Sequence, residues 1–362
     1  MEDNLNRVQR RKRIALIILC SVLALILVGV VVMAVIGQNL LDRVNRIDPD
    51  DETLSSEQLE SLLGQTESLD PEYTGGVIGE EEVTSPTESV ETIPVGENII
   101  NILLVGQDRR PGEGRRHSDS TILVTINKTA KTLTMTSFMR DLWVYIPYNS
   151  GGFEERINCA YMVGGFNTLN ATLQYNFGVS SDHNVEVDFD GFQAIIDKIG
   201  GIDLELTSAE AKYLNENGNW GVDDDKSWTL KAGINHMTGS QALAYSRIRA
   251  IGNDQGRTNR QRTVLTELFN KAKSMDVVSL YGLVSELLPM ITTDMENSEI
   301  LGYVLELAPL LPELTIVSQK IPVEGAYTGQ RIEHKGYIKS VLTMNKEQLE
   351  KNIEHLKDSI GG

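Results

Sequence analysis

The chain has 362 residues, with 51 Asp and Glu against 33 Lys and Arg, and a formal net charge of −18. That length holds one large domain or two small ones with a substantial core, and the acidity argues against general nucleic-acid binding while leaving room for a local basic pocket. Two cysteines, Cys20 and Cys159, support neither a disulfide framework nor a CxxC metal site, and Cys159 reads as a small core residue.

Residues 1–13 are a polar leader ending in Arg10, Arg11, Lys12 and Arg13. Residues 14–36 follow as 23 uncharged residues, enough to cross a bilayer core of about 30 Å as a helix. The run is too long for a signal-peptide core and no A-x-A-like site follows, so it reads as an uncleaved anchor. The basic cluster before it keeps the N-terminus in the cytoplasm and sends the rest of the chain outside. Residues 37–97 carry most of the net charge, with fifteen Asp and Glu and no Lys or Arg between 47 and 97. With few apolar residues to bury, this segment reads as a mostly disordered stalk that gives a folded domain its reach from the membrane.

From residue 98 to about 358 the composition is globular, and no internal repeat or second domain is visible. Residues 102–105, 121–126 and 133–138 read as three strands, the first closed by Gly106. If they run antiparallel, Asp108 and Asp119 emerge at one end of the sheet, and the short turn at 127–131 returns Arg140 and Asp141 to that same end. Residues 143–146 read as a continuation of the third strand. Residues 160–177 form a helix interrupted near Gly164 and Gly165. An alternating strand at 185–189 precedes a helix expected to start at Asp190 as N-cap and to stop at Gly200 and Gly201. The acidic triplet Asp223, Asp224 and Asp225 lacks calcium-loop spacing and reads as a solvated loop. Thr238 with Gln241 three residues on is a capping-box start for a helix over 239–246. Amphipathic helices follow, with closing strands at 314–317 and 321–323 and a last helix capped by Asn345. The order of elements predicts an α/β fold with a mixed central sheet flanked by helices.

Two clusters carry chemistry. Arg247, Arg249, Arg257, Arg260 and Arg262 fall within 16 residues, with Asp254 and Gln261 among them. Planar guanidinium forks suit phosphate oxygens, and several converging on one spot call for an anion; a solvated basic face or ordinary salt bridges are the plainer readings. Asp108 and Asp119 are hard oxygen ligands of the kind that hold Mg²⁺ or Mn²⁺ with substrate phosphates. A basic clamp with carboxylates describes a phosphoryl-transfer site that works by positioning and charge neutralisation. A serine nucleophile elbow, P-loop, HExxH and GxGxxG are all missing, which weakens the hydrolase, kinase, zinc-protease and dehydrogenase readings.

The segments NILLVGQDRR, SDSTILVTIN, SFMRDLWVYIP, RINCAYMVGG, VDFDGFQAIIDKIGGIDLEL and GSQALAYSRIRAIGNDQGRTNRQR resemble, in order and spacing, the LytR-CpsA-Psr family of cell-wall enzymes. The resemblance covers about residues 98–271. It implies an extracytoplasmic phosphotransferase that moves a glycopolymer, such as teichoic acid, capsule or another wall polysaccharide, from a polyprenyl pyrophosphate carrier to peptidoglycan through a phosphodiester. By that resemblance Asp108 and Asp119 bind Mg²⁺, and Arg140, Arg247, Arg249 and Arg257 hold the pyrophosphate with Gln261 in support. Asp254 positions Arg257 or the acceptor, and Asp254 or Asp141 is the candidate base. This chain departs from the family at three places. His117 stands where Arg commonly precedes the Ser-Asp pair, with Arg115 or Arg116 available instead. Arg156 replaces a usual Lys beside the pyrophosphate, and Met139 replaces a frequent Pro. His117 could also add a pH dependence. The lipid needs an apolar groove between sheet and helices, which residues 264–269 would help line. Alternatives are hydrolysis of the same lipid, or a non-catalytic envelope regulator or polymer-binding protein.

Overall fold

The computed structural model describes residues 44–46, 59, 76–79, 83, 88–107, 115–149, 151–217 and 228–360. The expected anchor at 14–36, Asp108 and the acidic triplet at 223–225 lie outside them. No helix among the described residues is long and apolar enough to cross a membrane.

In chain order the strands and helices begin with β1 (Asn45–Arg46), β2 (Val77–Gly79), β3 (Ile99–Gln107), β4 (Ser118–Asn127), β5 (Thr132–Phe138), β6 (Trp143–Tyr148), β7 (Gly151–Arg156) and α1 (Asn158–Phe177). They continue with β8 (His183–Asp188), α2 (Phe189–Lys198), β9 (Ile202–Leu206), α3 (Ser208–Asn217), β10 (Gly233–Met237), α4 (Gly239–Ser246) and α5 (Asn253–Lys273). The last are α6 (Val277–Leu287), β11 (Thr292–Thr293), α7 (Asn297–Leu307), β12 (Thr315–Ile321), β13 (Thr328–His334), β14 (Tyr337–Thr343) and α8 (Lys346–Ile360).

Among the described residues the central sheet has seven strands in the order β1-β11-β8-β3-β4-β5-β12. It is mixed: β3 runs antiparallel to β4 and parallel to β8, and β5 runs parallel to β12. Both faces are covered, which is why β3 and β4 read as nearly continuous apolar runs. Leu103, Val105 and Leu123 face a core shared with α1 and α8. Ile122, Val124 and Met135 face the other layer, where Leu265 and Phe269 of α5 and Leu307 of α7 pack. A smaller apolar cluster joins Ile196 of α2, Leu204 of β9, Leu214 of α3, Ala242 of α4 and Val264 of α5.

Several local expectations hold. Helix α1 is broken at Gly164 and Gly165, the latter at φ 56°, a conformation that costs an L side chain strain. Thr238 and Gln241 form the capping box of α4, and Asn345 and Gln348 cap α8 reciprocally, each backbone N–H meeting the other's side chain.

Others are corrected. Residues 143–148 do not extend β5: they form a separate hairpin with β7, because a turn at Met139, whose carbonyl accepts the Leu142 N–H, redirects the chain after β5. The N-cap of α2 is Asp188, whose carboxylate accepts the Gly191 N–H at 2.8 Å, and Asp190 sits in the first turn. One strand, β12, replaces the two expected at 314–323, and the hairpin β13–β14 follows it. The described parts of the expected stalk are laid on the domain: β1 pairs with β11, β2 pairs with β13, and Ile93 lies in the main core. Isolated apolar residues in an acidic stretch find sockets that an average over composition hides.

Candidate functional site

The backbone builds the site at the end of the sheet reached by β3, the start of β4 and the end of β5. Gln107 stands opposite Ser118, after a register shift at Gly106, and Thr121 opposite Phe138. Asp119 and Arg140 are thereby brought to one edge. The segment at Arg140 is pinned on three sides: Met139 N–H donates to Ile321, Asn158 N–H to the Arg140 carbonyl at 3.3 Å, and Leu342 N–H to the Asp141 carbonyl at 2.8 Å. Three elements remote in sequence therefore set where these side chains start.

The second wall is the first turns of α5 and the loop before it. Gly252 caps the helix at φ 74°, which favours glycine. Asp254, Arg257 and Gln261 recur at helical spacing and share one face of α5; Asp254 and Arg257 are buried and Gln261 is half-buried. Arg260 points away from that face. Its Nε donates to Glu210 of α3 at 2.7 Å, Nη1 to the Ile248 carbonyl at 3.0 Å and Nη2 to the Ile251 carbonyl at 2.7 Å. It braces the loop that carries Arg247 and Arg249. Arg262 also leaves the cluster, toward the Gln319 carbonyl of β12 at 3.4 Å. Helical periodicity thus divides the three arginines of α5, and only Arg257 among them joins the site.

Asp119 Oδ1 is the common pole. Arg257 Nη1 lies 3.4 Å from it, Arg249 Nη2 3.7 Å and Arg140 Nη1 3.9 Å. Asp254 is bracketed by Arg257 Nη2 at 2.7 Å and Arg140 Nε at 3.2 Å. Asp141 stands 3.6 Å from Arg140 Nε and 3.4 Å from Arg156 Nη1. Arg140 therefore meets three carboxylates. The Asp119 side chain is 28% exposed and that of Arg249 47%, whereas those of Asp254 and Arg257 are 4% and 3% exposed. Burial lowers the Arg257 pKa, with Asp254 beside it acting in the opposite direction; a guanidinium remains charged throughout.

Of the other expected residues, Arg247 is exposed and its guanidinium stands 4.4 Å over the Phe189 ring at the start of α2. Arg116 is exposed, with its backbone N–H donating to Gln107 Oε1 at 3.0 Å, and Arg115 and His117 are half-buried beside it. Sequence reasoning missed Glu210, Glu155 and Phe189. The arginine spacing held a signal for the first, since position 260 falls off the face of 254, 257 and 261 and needs another acid.

Among the described residues no group of three His, Cys, Asp or Glu could hold a metal ion. Asp119 offers one partly exposed carboxylate, a donor that fits Mg²⁺ or Mn²⁺ when substrate oxygens complete the shell.

Three guanidiniums thus converge on one carboxylate at the end of the mixed sheet of an α/β domain. The chain belongs to the LytR_cpsA_psr family, which it matches over residues 77–358. It is 31% identical over 199 residues to the polyisoprenyl-teichoic acid–peptidoglycan teichoic acid transferase TagV of Bacillus subtilis strain 168, covering 54% of this chain and 49% of that protein. It is 32% identical over 203 residues to the transferase of the same description, TagU, of Bacillus mycoides strain KBAB4, covering 54% and 60%. The chain thus spans about half the length of the curated relatives it matches. The crystal structure of B. subtilis TagV aligns with a TM-score of 0.58 at 26% identity, covering 73% of this chain and 97% of that one.

Proposed function

We propose that this protein is a membrane-anchored phosphotransferase that takes a glycopolymer from a polyprenyl pyrophosphate carrier and joins it to peptidoglycan through a phosphodiester. The convergence of Arg140, Arg249 and Arg257 on Asp119 carries this reading, in a family whose similar members are named as teichoic acid transferases. Residues 14–36 are the proposed anchor, with residues 1–13 in the cytoplasm and the domain outside the cell.

The three guanidiniums bind pyrophosphate oxygens, and Arg247 adds a fourth on the exposed side. The acceptor hydroxyl oxygen bonds to the sugar-proximal phosphorus as the bond to the bridging oxygen breaks, the hydroxyl proton passes to the departing phosphate oxygen, and polyprenyl phosphate leaves. Cations already aimed at the oxygens where charge accumulates lower the barrier without reorganising. Asp141 and Asp254, each buried and paired with two guanidiniums, orient those arginines, a role better supported than proton abstraction. Asp108 and Asp119 are the proposed holders of Mg²⁺ or Mn²⁺, which would neutralise further pyrophosphate charge when bound.

The lipid also has a support. Ile102 and Leu104 lie on β3, a central strand, yet are only half-buried, and they pack near Leu265, Phe269 and Tyr303. Side chains of one strand two apart share a face, so this apolar lane runs along β3 toward Gly106 and the arginines. We assign it to the polyprenyl chain.

The test is product analysis by mass spectrometry after incubating the full chain with Mg²⁺, a polyprenyl pyrophosphate-linked glycan and peptidoglycan fragments. Phosphodiester-linked product and polyprenyl phosphate are expected. Free glycan phosphate formed in spite of the acceptor would make the protein a hydrolase, and no turnover would leave a polymer-binding or regulatory role.

A further inference from the structure

Arg156 leads from the site into a second cluster of buried charge. Glu155, its chain neighbour on β7, accepts the Arg156 backbone N–H at 3.0 Å through Oε1, and that oxygen lies 4.0 Å from Arg156 Nε. The other carboxylate oxygen pairs with Lys339 Nζ of β14 and lies 3.6 Å from His334 Nε2 of β13. The side chains of Glu155 and Lys339 are 3% and 6% exposed, and His334 stands edge-on to Trp143 with ring centroids 5.0 Å apart. On the site side Arg156 Nη1 reaches Asp141 at 3.4 Å, and Asp141 reaches Arg140 Nε at 3.6 Å. Lys339, Glu155, Arg156, Asp141 and Arg140 therefore form a row whose charges alternate in sign. It runs from the C-terminal hairpin, beyond every motif of the arginine and aspartate clusters, to the site arginine that meets three carboxylates.

Taking ions out of water is costly, and a packed apolar filling would serve stability as well as a buried pair does. What a row of charges adds is a definite geometry. We propose that Lys339 and Glu155 are positioning residues for Arg140. Lys339 engages Glu155, so Arg156 is directed to Asp141, and Asp141 in turn is kept from closing fully on Arg140, which presents its guanidinium to the pyrophosphate. Without Lys339 the Glu155 carboxylate draws Arg156 inward over the present 4.0 Å gap. Asp141 then loses a partner, moves onto Arg140 and offsets the charge that binds the anion. The identity of that anion rests on the phosphotransferase reading.

The experiment compares the wild type, Lys339→Met, Lys339→Arg and the double variant Glu155→Gln/Lys339→Met in the full chain. Affinity is measured calorimetrically for inorganic pyrophosphate and for a polyprenyl pyrophosphate, and the Arg156 Nε–H resonance is followed by NMR. Lys339→Met is expected to weaken binding about tenfold, as for coupled neighbours, and Lys339→Arg to stay within about twofold. The double variant is expected to recover most of the loss, because no carboxylate remains to pull on Arg156; a merely structural role for the pair gives no such recovery. Should Lys339→Met fail to fold, the double variant, which buries no unpaired charge, must still bind within about threefold of wild type. Equal binding by Lys339→Met and wild type, or a double variant as weak as the single one, overturns the proposal. If the wild type binds neither probe, the phosphotransferase reading falls instead. The Arg156 resonance, shifted in Lys339→Met and restored in the double variant, then still decides the positioning role.

Discussion

Arg140 Nε and Asp254 Oδ1 lie 3.2 Å apart and tie the end of β5 to the first turn of α5. The same carboxylate oxygen is 2.7 Å from Arg257 Nη2, so one buried acid separates two guanidiniums. Replacing it with Ala leaves like charges facing each other in a place that water barely reaches. Asp254→Ala is expected to cost about 3 kcal/mol of stability, the scale for breaking a buried pair, and to abolish transfer. Calorimetric unfolding checks this, and an unchanged midpoint would show that the pairing carries no such weight.

Asp119 poses the opposite case, because its side chain is partly exposed and it meets three arginines. Removing it as Asp119→Ala raises the local positive charge, so inorganic pyrophosphate is expected to bind at least as tightly as to wild type. Transfer in the presence of Mg²⁺ is expected to fall about 100-fold or more, the scale for losing one preorganised electrostatic group. Intact transfer would remove Asp119 from the metal-holding role.

The apolar lane along β3 makes a prediction about chain length. Leu104→Trp narrows the space between β3 and the Leu265 and Phe269 side chains. Affinity for a long polyprenyl pyrophosphate should drop about tenfold or more, at roughly 0.8 kcal/mol for each lipid methylene left in water, while inorganic pyrophosphate binds as before. A parallel loss for both probes would locate the lipid elsewhere.

Glu210 gives a pH signature to the brace behind Arg249. Burial alone would raise its pKa, but hydrogen bonds from the Thr207 backbone, Arg260 and the Thr207 hydroxyl outweigh that effect and hold it below the ordinary value. A depressed carboxylate pKa stabilises the fold above its unfolded value, about 4.3, and that contribution fades as pH falls through the folded value. Wild type should therefore unfold at a higher temperature than Glu210→Gln near pH 7, with the gap closing below about pH 4. A gap independent of pH would contradict the assignment. Hydrogen exchange at Ile248 and Ile251, whose carbonyls Arg260 holds, should quicken in Arg260→Met as the loop opens locally.

Much of this was legible from local pattern. The apolar runs of β3 to β5, the break at Gly164 and Gly165, and the caps at Thr238 and Asn345 all depend on residues within a few positions of one another, and each appears where the sequence predicts. The N-cap of α2 was misplaced by two residues because Asp188 and Asp190 carry the same chemistry, and only the path of the chain from β8 selects between them. The hairpin β13–β14 and the docking of Ile93 escaped because their partners lie far away in sequence.

The sequence alone determined that, given antiparallel pairing of β3 to β5, Asp119, Arg140 and Asp141 come to the same end of the sheet, since strand alternation and short turns leave few other ways to route that segment. It did not determine which arginines face the site. Tertiary structure decided that, by aiming Arg257 inward, committing Arg260 to Glu210 and Arg262 to Gln319, and by running buried charge from Lys339 to Arg140. The reason is physical: an ion pair is set by distances of a few ångströms between elements up to about two hundred residues apart in the chain, as with Glu155 and Lys339, and no local pattern encodes such a distance.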